Sequence, residues 1–184
     1  MRRTLKLLLW LIVALLAAPF VAFAAYDLIA FQPRMPDIRR FLAQAAPEEK
    51  APPDSIRKVL HVSYPEHFSS LVARLLLQEL NAVPTGGGML RWHLTGATWW
   101  ALVELHLSEP EQTTLFLTLS PMGNDIKGFA KVSTAVVGVP LSAVSLEQAA
   151  RLVTVGKAPS IYLSDPERLA HHSQALAQRA KNAL

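Results

Sequence analysis

The sequence predicts a mainly α-helical protein, with an apolar N-terminal helix ahead of one helical domain. Three observations carry that expectation. Residues 7–26 form an apolar run behind Arg2, Arg3 and Lys6. Beyond Ser55, apolar residues recur at helical spacing, as at Ile56, Val59 and Leu60. Helix-start signatures then recur at Ser63-Tyr-Pro-Glu66, Ser145-Leu-Glu-Gln148 and Ser164-Asp-Pro-Glu167.

The N-terminal run is broken only by Pro19. About 20 apolar residues at 1.5 Å rise span the hydrocarbon core of a bilayer. Two readings of this run stay open. A basic start, an apolar stretch and Ala22-Phe23-Ala24 fit a cleaved export signal. Full spanning length, continued through Leu28, Ile29, Ala30 and Phe31, fits an uncleaved anchor. Either way the body of the protein is exported. The expected division is an anchor over 1–31, a Pro-rich linker over 32–55 and a helical domain over 56–184.

Within the linker, Pro33, Pro36, Pro47, Pro52 and Pro53 punctuate one short helix, Asp37 to Ala46, with Asp37 as N-cap. The capping box at Ser63 opens a helix through about Asn81. Pro84-Thr-Gly-Gly-Gly88 is a turn, and the apolar segment from Leu90 to Leu107 is one helix or two, divided at Gly96. Thr113 to Leu119 fits helix or strand. Lys127 to Val137 is a helix broken by Gly138-Val-Pro140, Ser145 opens another to about Val155, and Ser164 opens the terminal one.

Composition narrows the function classes. The chain of 184 residues has no cysteine, which removes disulfides, thiolate catalysis and Cys-bound metals. A net charge of +4 without a dense basic stripe interleaved with aromatics argues against nucleic-acid binding. Basic residues close to the anchor suit anionic lipid head groups.

The stretch from Gly123 to Tyr162 carries a turn, a helix, a Gly-x-Pro-Leu break, a capped helix and a Pro exit at Pro159. Gly128, Val132, Gly138, Pro140, Val144, Ser145, Glu147 or Gln148, Ala149, Ala150 and Leu152 match, in order, the last sequence block of the family 51 glycosyltransferases, with Val136-Val137 in place of an aromatic pair. The chain thus resembles enzymes that polymerise peptidoglycan from lipid II. The resemblance implies a lysozyme-like α fold, the cytoplasmic membrane with the bulk of the chain on its outer side, and no cofactor. It implies as partners the membrane, a peptidoglycan synthase or a lipid-linked glycan.

The same resemblance shows what has changed. The family's E-D-x-x-F block, source of the general base, falls on Tyr64-Pro65-Glu66-His67-Phe68, so Tyr64 stands at the glutamate position. Tyrosine, with a pKa of about 10, is a poor base at neutral pH. Glu66 is the displaced candidate base, about 200° further around a helix; it also reads as the N3 partner of Ser63. The donor-site block falls on Gly86 to His93, which keeps glycines and loses the polar groups. The third and fourth blocks, around Thr98 to Ala101 and Pro110 to Ser120, retain no pyrophosphate-holding cluster. Arg91, His93 and Lys127 are the remaining candidates for a phosphate or head group.

Other candidates have plain structural readings. Adjacent His171 and His172 point about 100° apart on a helix and suit the surface better than a shared metal. Glu104 and His106 pair only in an extended segment. Trp99-Trp100 fits a core or a membrane-interface belt. Gly86-Gly87-Gly88 lacks the Lys-Ser/Thr of a phosphate loop. The expectation is a membrane-anchored, transglycosylase-like module without its catalytic carboxylates, acting in cell-wall assembly. The alternatives are a divergent active glycosyltransferase using Glu66, and a helical membrane-interaction protein outside that family.

Overall fold

A computed structural model describes residues 2–65, 68–86 and 88–183. The chain divides into two units, Met1–Ile38 and Arg39–Leu184. Both are helical, and no strand occurs among the described residues.

In the first unit, α1 (Arg2–Tyr26) runs through Pro19 and is followed by a π turn (Asp27–Phe31) and a 3-10 turn (Gln32–Arg34). At 1.5 Å per residue α1 is about 37 Å long, enough to cross a bilayer. Its apolar side chains, among them Leu15, Leu16, Phe20 and Val21, are exposed. It is a helix long and apolar enough to span a membrane.

Helix α2 (Met35–Gln44) follows directly, so Asp37 lies in its first turn rather than at an N-cap. The Pro-rich stretch continues through this helix. Its residues from Arg39 belong to the second unit, and α3 (Pro47–Lys50) places Glu49 in that unit's interior. Glu49 is 3% exposed. Its Oε2 accepts from the Thr118 hydroxyl at 3.0 Å and the Ala46 N–H at 3.3 Å, and its Oε1 accepts from the Ala130 N–H at 3.0 Å.

The remaining helices are α4 (Asp54–Ser63), α5 (Phe68–Glu79), α6 (Gly88–His106), α7 (Glu109–Leu119), α8 (Phe129–Val137), α9 (Leu146–Lys157), α10 (Pro159–Tyr162) and α11 (Pro166–Asn182). Helix α9 packs on α4 and α11, while α5 packs on α6 and α7. Ile56, Val59 and Leu60 are buried on α4, as their spacing predicts.

Helix α7 is covered nearly all round, burying Leu115, Phe116, Leu117 and Leu119. A helix buried on all sides needs no amphipathic stripe, which is why helix and strand looked alike here. Its polar members are satisfied within the chain: Thr114 donates to the Pro110 carbonyl at 2.9 Å and Gln112 to the Leu107 carbonyl at 2.9 Å. Glu111 reaches back to the Ser108 N–H at 2.9 Å and closes the first turn.

Several starts and stops differ from expectation. Ser63 is the last residue of α4, not an N-cap, and its buried hydroxyl has no partner among the described residues. The cap of α11 is Asp165, which accepts from the Arg168 N–H at 2.9 Å, rather than Ser164. Ser145 and Gln148 do form the expected reciprocal cap of α9. Gly138 ends α8 at φ 80°, the left-handed conformation glycine adopts without a Cβ penalty. Helix α6 is continuous through Gly96.

Candidate cavity beside Tyr64

A cavity of about 580 Å³ opens where the end of α4, the start of α5, the end of α6 and the start of α7 meet. Arg57, His61, Tyr64, Ser69, Glu104, Glu109, Gln112 and Thr113 supply its polar lining, and Leu60, Phe68 and Leu107 its apolar part. Such a mixture of hydroxyl, amide, imidazole and carboxylate groups offers both donors and acceptors to a polar ligand.

Some of these groups already have partners. Arg57 pairs with Asp54, and Glu104 accepts from the Trp100 indole N–H at 2.8 Å. Glu104 and His106 therefore lie on a helix and not on the extended segment their pairing requires. No group of three metal-ligating His, Cys, Asp or Glu side chains occurs among the described residues.

Tyr64 follows α4 with its ring 5.5 Å from Phe116 and 6.3 Å from Phe68, centroid to centroid. Lys157 Nζ sits 5.0 Å from the same ring, within cation–π range. Burial pushes the Tyr64 phenol up to about 12. Desolvation disfavours a phenolate, so this hydroxyl is a poorer base here than in water. Burial, followed by the nearby Arg179 charge, lowers the Lys157 ammonium below its usual value.

The ring cluster extends through the interior. Phe68 lies 5.2 Å from Phe116, and Phe116 lies 5.8 Å from Phe129. The segments around Phe68 and Gly128 thus converge on α7.

The other candidates are dispersed. Glu66 lies outside the described residues. His93 faces a separate groove between α5 and α6. Arg91 is exposed on α6, one residue before Trp92. Lys127, which precedes rather than begins α8, pairs with Glu79. Arg91, His93 and Lys127 do not line the Tyr64 cavity and form no joint anion site with it. His171 and His172 are exposed, with rings 5.4 Å apart. The tryptophan pair splits, with Trp99 1% exposed in the core and Trp100 37% exposed.

Two features escaped the reading of the sequence. Glu49 fell within the expected Pro-rich linker and was not singled out. The α5 stripe Ser70, Arg74 and Gln78 faces the second groove, and its i, i+4, i+8 spacing was a visible signal. Comparison of the chain with protein-family models, curated proteins and solved structures found no match.

Proposed function

We propose that the chain is a membrane-tethered, non-catalytic binding module of the peptidoglycan glycosyltransferase type, acting in cell-wall assembly. The observation that carries the proposal is Tyr64. At the position where the resemblance calls for a carboxylate base stands a phenol wedged among Phe68, Phe116 and Lys157. Its proton is held to about 12, opposite to what abstraction of a sugar hydroxyl proton needs.

The cavity around it favours binding. Its polar groups converge from four helices, as a site for a polyhydroxy ligand such as a lipid-linked glycan requires. The contacts of Phe68 and Phe129 with Phe116 tie the helices beside the cavity into one core. The apolar length of α1 supports a single-pass membrane anchor, while its place in the cytoplasmic membrane with the rest of the chain on the outer side is what the family resemblance implies.

The test uses the full chain in proteoliposomes with fluorescent lipid II. Retention of lipid II without polymer is expected, with binding weakened by Gln112→Ala and Thr113→Ala. Polymer formation abolished by Glu66→Gln would overturn the proposal in favour of a divergent enzyme. Neither binding nor polymer would leave the glycan as the wrong ligand.

A further inference from the structure

The first half of α6 is exposed on every side. Met89 is 77% exposed and Leu90 72%, with Trp92 and Leu94 also open to solvent and Val83 beside them in the preceding turn. A surface helix ordinarily shows apolar residues on one stripe only. Met89, Leu90, Trp92 and Leu94, exposed together at this tip, do not keep to one buried stripe, and an exposed cluster of this kind marks a contact surface.

Charge at the tip has one sign. From Asn81 to Val103 the chain contains Arg91 and His93 but no Asp or Glu. Beneath the tip, a groove of about 340 Å³ separates α5 from α6. Trp92 and Trp100 are among its apolar walls, and Arg74 and His93 bring cationic or protonatable groups to it. Arg74 has no ion pair with any described residue. Gly96 adds to the opening, since a Cβ there would meet nothing within 4 Å.

We infer that the α6 tip docks into the interface of an anionic phospholipid bilayer, with Arg74 taking a lipid phosphate at the groove. Each part fits that occupant. Leu and Met side chains enter the acyl boundary, indoles favour the head-group level, and guanidinium binds phosphate. The basic side chains of Arg74 and Arg91 complement anionic lipid. A second copy would meet the same positive surface and repel it. The inference rests on the anchoring of α1 but not on any ligand for the Tyr64 cavity.

The cysteine-free chain allows a direct test. Single Leu15→Cys, Leu90→Cys and Gln174→Cys variants of the full chain are labelled with an environment-sensitive fluorophore. They are reconstituted in phosphatidylcholine–phosphatidylglycerol vesicles at roughly 7:3 and in phosphatidylcholine alone. In the mixed vesicles, lipid-borne nitroxide should quench positions 15 and 90, while iodide should reach only position 174. Adding Arg74→Gln to the Leu90→Cys variant should lower the docked-to-free ratio about fivefold in mixed vesicles and leave it unchanged in neutral ones. Equal iodide access at positions 90 and 174, with position 15 in lipid, overturns the inference and spares the anchor. Energy transfer between labels at position 90 would replace lipid with a second copy. No effect of Arg74→Gln would remove the phosphate contact. Iodide access at position 15 would defeat the anchoring reading itself.

Discussion

Removing the Glu49 carboxylate tests what holds the second unit together. Glu49 joins three segments far apart in sequence, reaching 69 residues to Thr118 and 81 to Ala130. Helix α8 has no side-chain cap of its own, because its N-cap is Gly128. The Glu49 Oε1 supplies that missing acceptor, at the end of the helix where the peptide dipoles favour an anion. The carboxylate also closes α3 through the Ala46 N–H.

Each hydrogen bond to a charged acceptor contributes about 1.5–3 kcal/mol, and bonds sharing one carboxylate do not add. Glu49→Ala removes all three and opens a cavity, so a loss of about 3 kcal/mol is expected. For a unit of this size that corresponds to a Tm lower by about 6–12 °C. Glu49→Gln keeps the volume and one acceptor oxygen but turns an amide N–H towards a donor, giving a loss of about 1–2 kcal/mol. The assay is thermal unfolding of the full chain in detergent, followed by far-UV circular dichroism. Thr118→Val completes a double-mutant cycle with Glu49→Ala, where a coupling above about 0.5 kcal/mol is expected. A Glu49→Ala protein melting within about 2 °C of the parent would refute the reasoning.

Tyr64 gives a pH prediction. The folded chain keeps the phenol proton to about 12, whereas an unfolded chain releases it near 10. The folded state therefore binds more protons between those values, so its advantage is complete below the lower value and is lost as the pH rises through the window. Near pH 11, Tyr64→Phe should leave the phenolate absorbance of the folded protein unchanged and lower it in denaturant; a loss in the folded protein would show an ordinary phenol. Gly96→Ala should raise stability by about 0.5–1 kcal/mol, since helix propensity improves and the added Cβ meets nothing within 4 Å; a lower melting temperature would show that the groove cannot take a methyl group. Gly128→Ala should cost about 1–3 kcal/mol through its positive φ alone. It should cost less when Glu49 is already Ala, because the new Cβ would lie 3.1 Å from Glu49 Oε1, and equal costs in the two backgrounds would refute that contact.

How much could be read in advance depended on how local each signal was. Ser145 and Gln148 complete their cap within one turn, so the start of α9 followed from four residues. Ser108-Glu-Pro-Glu111 carries the same signature, yet the Thr and Phe residues behind it hid a helix whose burial on all sides erases periodicity. Ser63 misled because α4 runs on to include it, placing the serine at the end of one helix instead of the start of the next. At the cavity, Tyr64 was singled out from the sequence only through the family resemblance. Its partners Phe116 and Lys157 come from α7 and α9, and sequence spacing carries no trace of that meeting. Glu49 was illegible for the same reason, since two of its three donors lie in α7 and α8.

The stretch from Gly123 to Tyr162 owes its pattern to packing more than to chemistry. Gly128 has φ 97° and leaves room for the Glu49 carboxylate and the Thr118 carbonyl, which a Cβ would approach at 3.1 and 3.2 Å. Gly138 closes α8, Ser145 and Gln148 open α9, and Val132, Val144, Ala149, Ala150 and Leu152 are buried. These matching residues have structural tasks that would persist whether or not a base stood in the cavity. A likeness carried by such residues bears on architecture alone. The functional proposal therefore rests on the Tyr64 cavity, where burial holds the phenol proton to about 12 among polar groups.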